Sequence, residues 1–258
     1  RRPYGRALSR ARRARAERRI IQVGPVRTMR VEDFEDALGV MFWGVVLPSL
    51  AALPHLRRSR GRIVTITSIG GKVPFPHLLP YNSAKFAAVG FSEGLAAEVA
   101  RDGVRVTTVV PGLLRTGSPL NVFFKGAAER EQTWFTLSDS IPGLSMKAER
   151  AAARIVAALR RGSPELVLTL PAKVGVRVHG VAPGLTVRAL GIVNRLLPDA
   201  RTDDAGARRG LDLGLARRSR LFRAATAATQ RAARRTHQLP GLVSVPPPVR
   251  TADRTGSG

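Results

Sequence analysis

Apolar side chains recur at every third or fourth position along residues 31–58, which read "VEDFEDALGVMFWGVVLPSLAALPHLRR". This spacing places them on one face of a helix. Acidic residues fall in the first turns of the segment, and Arg57 and Arg58 fall at its end, as the helix dipole favours. The pattern therefore predicts a helix. Pro48 predicts a kink or a division within it, because proline cannot donate an intrahelical hydrogen bond.

Three short runs rich in β-branched residues follow, and helical patterns separate them. The runs "GRIVTITS", "VRVTTVVPG" and "ELVLTL" predict buried strands at residues 61–68, 104–112 and 165–170. The helical patterns cover residues 81–103 and 148–161. Alternating helices and strands are typical of a parallel sheet with covering helices, so the predicted fold class is α/β. Ligands bind such sheets at the carboxyl ends of the strands.

Two other segments carry weaker patterns. Residues 113–147 are rich in Phe, Ser and Gly, and we predict irregular structure there. Residues 172–197 come closest to a membrane span, but basic side chains interrupt them and Pro183-Gly184 would break a helix. We therefore expect no apolar run long enough to cross a bilayer.

The formal net charge of +25 sits largely at the two ends of the chain. Two explanations stay open: a general bias of composition towards Arg and Ala, or an anionic partner such as nucleic acid or a membrane surface. Composition also suggests four parts: a disordered Arg/Ala-rich start at 1–19, an α/β domain at 20–170, a helical segment at 171–200, and a basic helix with a disordered tail at 201–258.

The chain has no cysteine and only four histidines. The lack of cysteine excludes disulfides, thiolate zinc sites and cysteine nucleophiles, and it fits a reducing compartment. The low histidine count argues against a multi-histidine metal site, so we expect no metal. No apolar stretch of a secretory signal follows the basic start. We expect a cytoplasmic location, with membrane association as the alternative.

Ser68, Tyr81 and Lys85 form the candidate catalytic set. Ser68 ends the first predicted strand, and Tyr81 and Lys85 lie four positions apart on the next helix, hence on one face. A free tyrosine has a pKa of about 10, and a nearby ammonium lowers that value by favouring the phenolate. The serine hydroxyl could hold a substrate oxygen against the phenol. The alternatives are a surface helix pair for Tyr81 and Lys85 and a capping role for Ser68.

These residues resemble the short-chain dehydrogenase/reductase family in "TITSIGG", "YNSAK" and "PGLLRT", over residues 20–170. The resemblance implies a Rossmann-like parallel sheet and an NAD- or NADP-dependent interconversion of a carbonyl and an alcohol. It implies that Tyr81 is the general acid or base, that Lys85 lowers its pKa and holds the nicotinamide ribose, and that Ser68 positions the substrate.

The family also implies a cofactor site and a substrate lid. Backbone groups near Leu114 and the hydroxyl of Thr116 would hold the nicotinamide carboxamide. The lid corresponds to residues 117–147, whose aromatic side chains indicate either an apolar substrate or packing within the lid. The expected cofactor-binding residues are Tyr81, Lys85, Pro111, Gly112, Leu114 and Thr116. The lid aromatics are Phe123, Phe124, Trp134 and Phe135.

Two features depart from the family pattern. Met41 stands where the family has an asparagine that anchors a water in a proton relay, and a thioether cannot donate a hydrogen bond, so we expect a slower relay. The Gly-rich turn that binds the cofactor pyrophosphate has no counterpart in the sequence. The resemblance begins abruptly at Ile20. We therefore expect an N-terminally truncated or frame-shifted member, lacking the first strands and impaired in cofactor binding.

A non-enzymatic function stays open beside this one. The chain could be a catalytically inactive basic scaffold that binds an anionic membrane surface or nucleic acid. The low aromatic content of 5% and the lack of a nucleic-acid motif argue against nucleic acid. The family resemblance implies a homo-oligomer, formed through the helices at residues 31–57 and 80–101.

Overall fold

The computed structural model describes residues 21–116, 118–140, 145–199 and 206–213. The predictions for the Arg-rich start at residues 1–19 and for nearly all of the basic tail therefore lie outside the described residues.

Eight helices and eight strands occur in the described part of the chain. The helices are α1 (Val31–Met41), α2 (Trp43–Ser59), α3 (Leu79–Val99), α4 (Ser118–Asn121), α5 (Ala128–Ser140), α6 (Ala148–Arg161), α7 (Leu170–Val181) and α8 (Pro183–Asn194). The strands are β1 (Gln22–Val23), β2 (Arg62–Ile66), β3 (Arg105–Pro111), β4 (Leu113–Arg115), β5 (Phe123–Phe124), β6 (Ser145–Lys147), β7 (Glu165–Leu168) and β8 (Arg208–Arg209).

The central sheet consists of β2, β3 and β7, with β3 in the middle and all three strands parallel. Val106 and Val109 are three positions apart on β3 and so point to opposite faces. Val106 packs with Leu53 and Leu95 of α2 and α3, whereas Val109 packs with Ala151 of α6. Helices therefore cover both faces of a parallel sheet, which confirms the predicted α/β class.

Two smaller sheets lie beside the central one. Strand β5 pairs in parallel with β1 and antiparallel with β8, and Val23, Val122 and Phe124 form a buried cluster around this junction. Strands β4 and β6 form a parallel pair. These pairings fix the segment that follows β3 against the rest of the domain.

The first predicted helix is divided, but not at Pro48. The break falls at Phe42, and α2 runs through both Pro48 and Pro54. A proline removes one intrahelical hydrogen bond and its ring crowds the carbonyl four residues earlier. Neither Pro48 nor Pro54 ends the helix here.

The prediction of irregular structure for residues 113–147 was wrong, because this segment contains three short strands and α5. Most of the buried positions of α5 are polar: Glu131, Gln132 and Thr136 are each at most 1% exposed, and Ala128 is the buried apolar exception. An apolar period therefore does not reveal this helix. The predicted break at Pro183-Gly184 is confirmed, since α7 ends at Val181 and α8 begins at Pro183.

Among the described residues, Val31–Ser59 is the one helical stretch long and apolar enough to cross a membrane. The expectation that residues 172–197 come closest, and that no run is long enough, was therefore wrong. Residues 37–54 of this stretch carry no charge. Length and composition suit a core helix equally well, and Ala37, Val46 and Leu53 are buried.

A buried ion pair joins α1 to the end of β5. Lys125 donates to the Asp33 carboxylate, and the two side chains are 1% and 8% exposed. Burial alone would raise the pKa of Asp33, but Lys125 and the backbone N–H of Arg30 hold that pKa below its ordinary value. The pair therefore links α1 to the segment that follows β3.

We expect Lys125→Met to lower the free energy of unfolding by about 3–5 kcal/mol, because it leaves Asp33 as an uncompensated buried charge. The double variant Asp33→Asn/Lys125→Met should lose less than the single one, since it removes both charges. Urea denaturation of the three proteins measures the difference. An equal loss in both variants would contradict a coupled pair.

Candidate active site

An apolar cavity of about 690 Å³ opens at the carboxyl ends of β2 and β3. Its wall includes most of the site residues predicted from the sequence, and Lys85 is the exception. The predicted residues in the wall are Ser68, Tyr81, Pro111, Gly112, Leu114 and Thr116. The fold therefore brings together residues that lie up to 48 positions apart.

Ser68 follows β2 in extended conformation and begins a short 3₁₀ turn at Ile69–Gly71. Its Oγ accepts a hydrogen bond of 3.1 Å from the backbone N–H of Gly70, so the capping alternative holds in this structure. The preceding Thr67 donates from Oγ1 to the Val109 carbonyl over 2.6 Å, which fixes the end of β2 against β3. A cap of this kind holds the serine at the cavity wall.

Tyr81 stands in the first turn of α3, and its ring contributes to the cavity wall. The ring packs against the cluster that contains Met41 and Ala84. A side-chain carbon at Gly70 would lie 2.9 Å from Cε1 of Tyr81, which is closer than atoms can approach. Glycine at this position therefore lets the turn that follows Ser68 lie directly against the tyrosine ring.

Lys85 lies behind the tyrosine ring and does not line the cavity. Its Nζ is 5.8 Å from the centroid of the Tyr81 ring and donates to the Ile66 carbonyl over 3.4 Å. Burial lowers the pKa of Lys85 to about 8. The ammonium is therefore charged at neutral pH and loses its charge in mildly alkaline solution.

The segment that follows β3 forms the opposite part of the wall. Gly112 is pressed against Thr169, since a side-chain carbon there would lie 2.3 Å from Oγ1 of Thr169. Its N–H donates to the Leu168 carbonyl over 3.2 Å. The hydroxyls of Thr116 and Ser118 are 2.7 Å apart. These contacts hold Leu114 and Thr116 beside the cavity.

Two of the four predicted lid aromatics, Trp134 and Phe135, line the cavity. Phe124 is fully buried in the cluster around β5 and does not reach the cavity wall. The expected apolar lining is therefore formed by Trp134 and Phe135 of α5, whereas Phe124 packs inside the domain.

Glu131 and His77 were not among the residues predicted from the sequence. Glu131 is fully buried, and its two carboxylate oxygens lie 2.7 Å from His77 Nδ1 and 2.8 Å from Trp134 Nε1. The carboxylate thereby fixes the tryptophan in the cavity wall. The two partners of this contact, His77 and Glu131, are 54 positions apart, so sequence spacing gave no signal for it.

Thr169 was also missed. It has φ 73° and ψ 146°, a backbone conformation that residues other than glycine rarely adopt. Its Oγ1 accepts from the N–H of Ala172 over 3.4 Å and caps α7. A single threonine between a strand and a helix has no distinctive sequence pattern.

Among the described residues no cluster of His, Cys, Asp or Glu could hold a metal ion.

The titration of Lys85 predicts a pH-dependent stability. The unfolded chain keeps this proton up to about pH 10.5, whereas the folded chain releases it near pH 8. The unfolded state therefore binds more protons between these values, and the free energy of unfolding gains on the order of 1–3 kcal/mol as the pH rises. Lys85→Met should remove this gain. Urea denaturation from pH 7.5 to 10.5, with the exposed Lys147→Met as control, measures it. Equal pH slopes for the wild-type and Lys85→Met proteins would contradict the assignment.

Residues 19–122 match the family model described as short chain dehydrogenase. The oxidoreductase named SadH from Mycobacterium tuberculosis is 39% identical over 153 residues, which is 58% of this chain and 55% of SadH. Human 17-beta-hydroxysteroid dehydrogenase type 2 is 36% identical over 80 residues, 31% of this chain and 21% of that protein. The chain thus spans about half the length of SadH and less of the human protein.

A solved structure shares the fold. A short-chain dehydrogenase from Streptomyces avermitilis superposes with a TM-score of 0.54 at 26% identity, and the match covers 74% of each chain.

Proposed function

Because the chain belongs to the short-chain dehydrogenase/reductase family, we propose that it is an oxidoreductase that interconverts a carbonyl and an alcohol with NAD or NADP. The observation that carries the proposal is the single cavity wall that Ser68, Tyr81 and residues 111–116 share, with Lys85 behind the tyrosine. If Tyr81 and Lys85 were only a surface pair, the position of Ser68, Leu114 and Thr116 on the same cavity wall would be a coincidence.

The residues present fit the nicotinamide end of the cofactor. The segment at 111–116 is pressed against Thr169 on one side and borders the cavity on the other. Leu114 and Thr116 would hold the carboxamide there, and Lys85 the ribose. A bound nicotinamide cofactor would supply or accept the hydride.

Tyr81 would move the proton in this scheme. Its phenol would donate a proton to the substrate oxygen during reduction and accept one during oxidation, with Ser68 holding that oxygen by a hydrogen bond. The charged Lys85 beside the ring would favour the phenolate by electrostatic attraction. Because burial lowers the pKa of Lys85 to about 8, this support weakens in alkaline solution.

We propose an apolar substrate. Trp134, Phe135, Val178 and Leu190 line the cavity, and its volume of about 690 Å³ suits a ligand as large as a sterol. Relatives named as hydroxysteroid dehydrogenases support this choice of substrate class.

Assembly completes the proposal. Trp43, Leu47, Leu50 and Phe86 are exposed apolar side chains on α2 and α3. They suit the homo-oligomer contact that the family implies.

We expect Tyr81→Phe to lower turnover by about a hundredfold or more, because it removes the hydroxyl that transfers the proton. The measurement is oxidation of NADH and NADPH, each at millimolar concentration, with a panel of apolar ketones that includes steroids. Ser83→Ala, an exposed position on the same helix, is the matched control and should keep full turnover. Absence of both cofactor binding and ketone reduction in the wild-type chain would overturn the proposal.

A second candidate function is attachment to an anionic membrane surface. Large apolar side chains are exposed on helices α7 and α8 and at Leu196, just after α8. Residues 170–197 contain basic but no acidic residues. Such a surface suits an interfacial position between headgroups and acyl chains. The exposed apolar residues are Leu170, Val174, Val178, Val181, Leu185, Val187, Ile192, Val193 and Leu196.

We expect the chain to float with vesicles that contain anionic phospholipid. The triple variant Val181→Ser/Leu185→Ser/Leu196→Ser should bind at least about tenfold more weakly, since each apolar side chain contributes about 1.5–3 kcal/mol when buried. Val26→Ser/Val31→Ser, two exposed valines elsewhere, is the control. If the wild-type chain stays at the bottom of the gradient, this candidate function is excluded.

A further inference from the structure

A second cavity, of about 630 Å³, is strongly basic. We call it the basic cavity. It is lined by β4, β6, the first turns of α6 and the start of α7, and none of the described residues that line it is acidic. The lining residues are Arg115, Ser145, Met146, Lys147, Arg150, Arg154, Thr169, Leu170 and Lys173.

The five cations of this cavity lack partners within the described residues. Among the residues that the structure describes, none of them forms an ion pair, and Nε of Arg115 is buried without a hydrogen-bond partner. Other basic residues do find anions: Arg57 lies 2.7 Å from Asp102, and Lys72 contacts two glutamates. Others, such as Arg62 and Arg160, form no ion pair among the described residues, so what distinguishes the five cations is that they line one cavity.

The backbone itself places these like charges side by side. Arg115 on β4 is the register partner of Lys147 on β6. Arg150 and Arg154 lie four positions apart on α6, hence on one face, where like charges repel. Both arrangements cost free energy unless an anion lies between the charges.

A multiply charged phosphoryl group is the anion that fits best. Arginine binds phosphate oxygens with two parallel hydrogen bonds, and the N-terminus of α6 adds its dipole at the same end of the cavity. A single carboxylate would leave most of the five charges uncompensated. The volume is sufficient for a phosphorylated small molecule or a lipid headgroup.

The basic cavity adjoins the apolar cavity at β4 and at Thr169. Leu113, Leu114 and Thr116 line the apolar cavity, Arg115 lines the basic one, and Thr169 borders both. We propose that the basic cavity binds a multiply charged phosphoryl group, of a free phosphorylated ligand or of an anionic phospholipid. This proposal does not depend on the proposed oxidoreductase function.

The first test is calorimetric titration with sodium pyrophosphate at an ionic strength of about 0.15 M, where long-range attraction is screened. We expect Arg150→Gln/Arg154→Gln to raise the dissociation constant about tenfold or more. The control Arg160→Gln/Arg161→Gln removes the same charge from exposed positions at the other end of α6 and should change it less than about twofold.

The proposed site would be wrong if both double variants weakened pyrophosphate binding equally, or if the wild-type chain did not bind pyrophosphate. Circular dichroism checks the fold of each variant. If Arg150→Gln/Arg154→Gln misfolds, Lys147→Gln/Lys173→Gln takes its place, because these residues line the same cavity from β6 and α7.

The second test separates the two sources of the phosphoryl group. The probes are glycerol 3-phosphate in solution and phosphatidylcholine vesicles with or without phosphatidic acid. Vesicle binding that needs phosphatidic acid and is weakened by Arg150→Gln/Arg154→Gln supports a lipid headgroup. Glycerol 3-phosphate binding weakened by the same variant, without vesicle binding, supports a free ligand. If the variant changes neither, the proposal is wrong.

Discussion

Parallel pairing of β3 with β2 and β7 is the constraint on which the candidate site depends. Parallel strands end at the same edge of the sheet, so Thr67 and Ser68 after β2, Pro111 at the end of β3 and Thr169 after β7 meet there. The backbone N–H and the hydroxyl of Thr67 both donate to the Val109 carbonyl, which extends the pairing beyond the regular strand. The cavity wall is thus a continuation of the sheet.

Buried polar contacts then attach the elements that close this edge. Lys125 joins the segment after β3 to α1 through Asp33, and Glu131 joins α5 to the loop before α3 through His77. A carboxylate buried without its partner would be costly, so each contact strongly favours one arrangement of the chain. The same Glu131 holds Trp134 in the wall, which couples the packing of α5 to the shape of the cavity.

The sequence predicted those parts of the molecule whose burial is apolar and regular. Strands β2, β3 and β7 and helix α6 fall where their patterns indicate, and the Ser68, Tyr81 and 111–116 segments reach one cavity. Helix α5 was not predicted because most of its buried positions are polar. The sequence did not reveal the strained backbone of Thr169 or the contact of Glu131 with His77. Neither feature produces a repeating pattern of apolar residues along the chain. The division of the first helix was misplaced, because the break falls at Phe42 and α2 continues through Pro48.

The fold shows that the positive charge of the chain is not confined to its two ends. Composition alone assigns the excess of Arg and Lys to the two ends, yet five cations converge on one cavity inside the described domain. The two cavities adjoin at β4, where Leu113 and Leu114 line the apolar cavity and Arg115 lines the basic one. Pairing of β4 with β6 places Arg115 beside Lys147. The register of this short pair therefore determines which two cations lie side by side in the basic cavity.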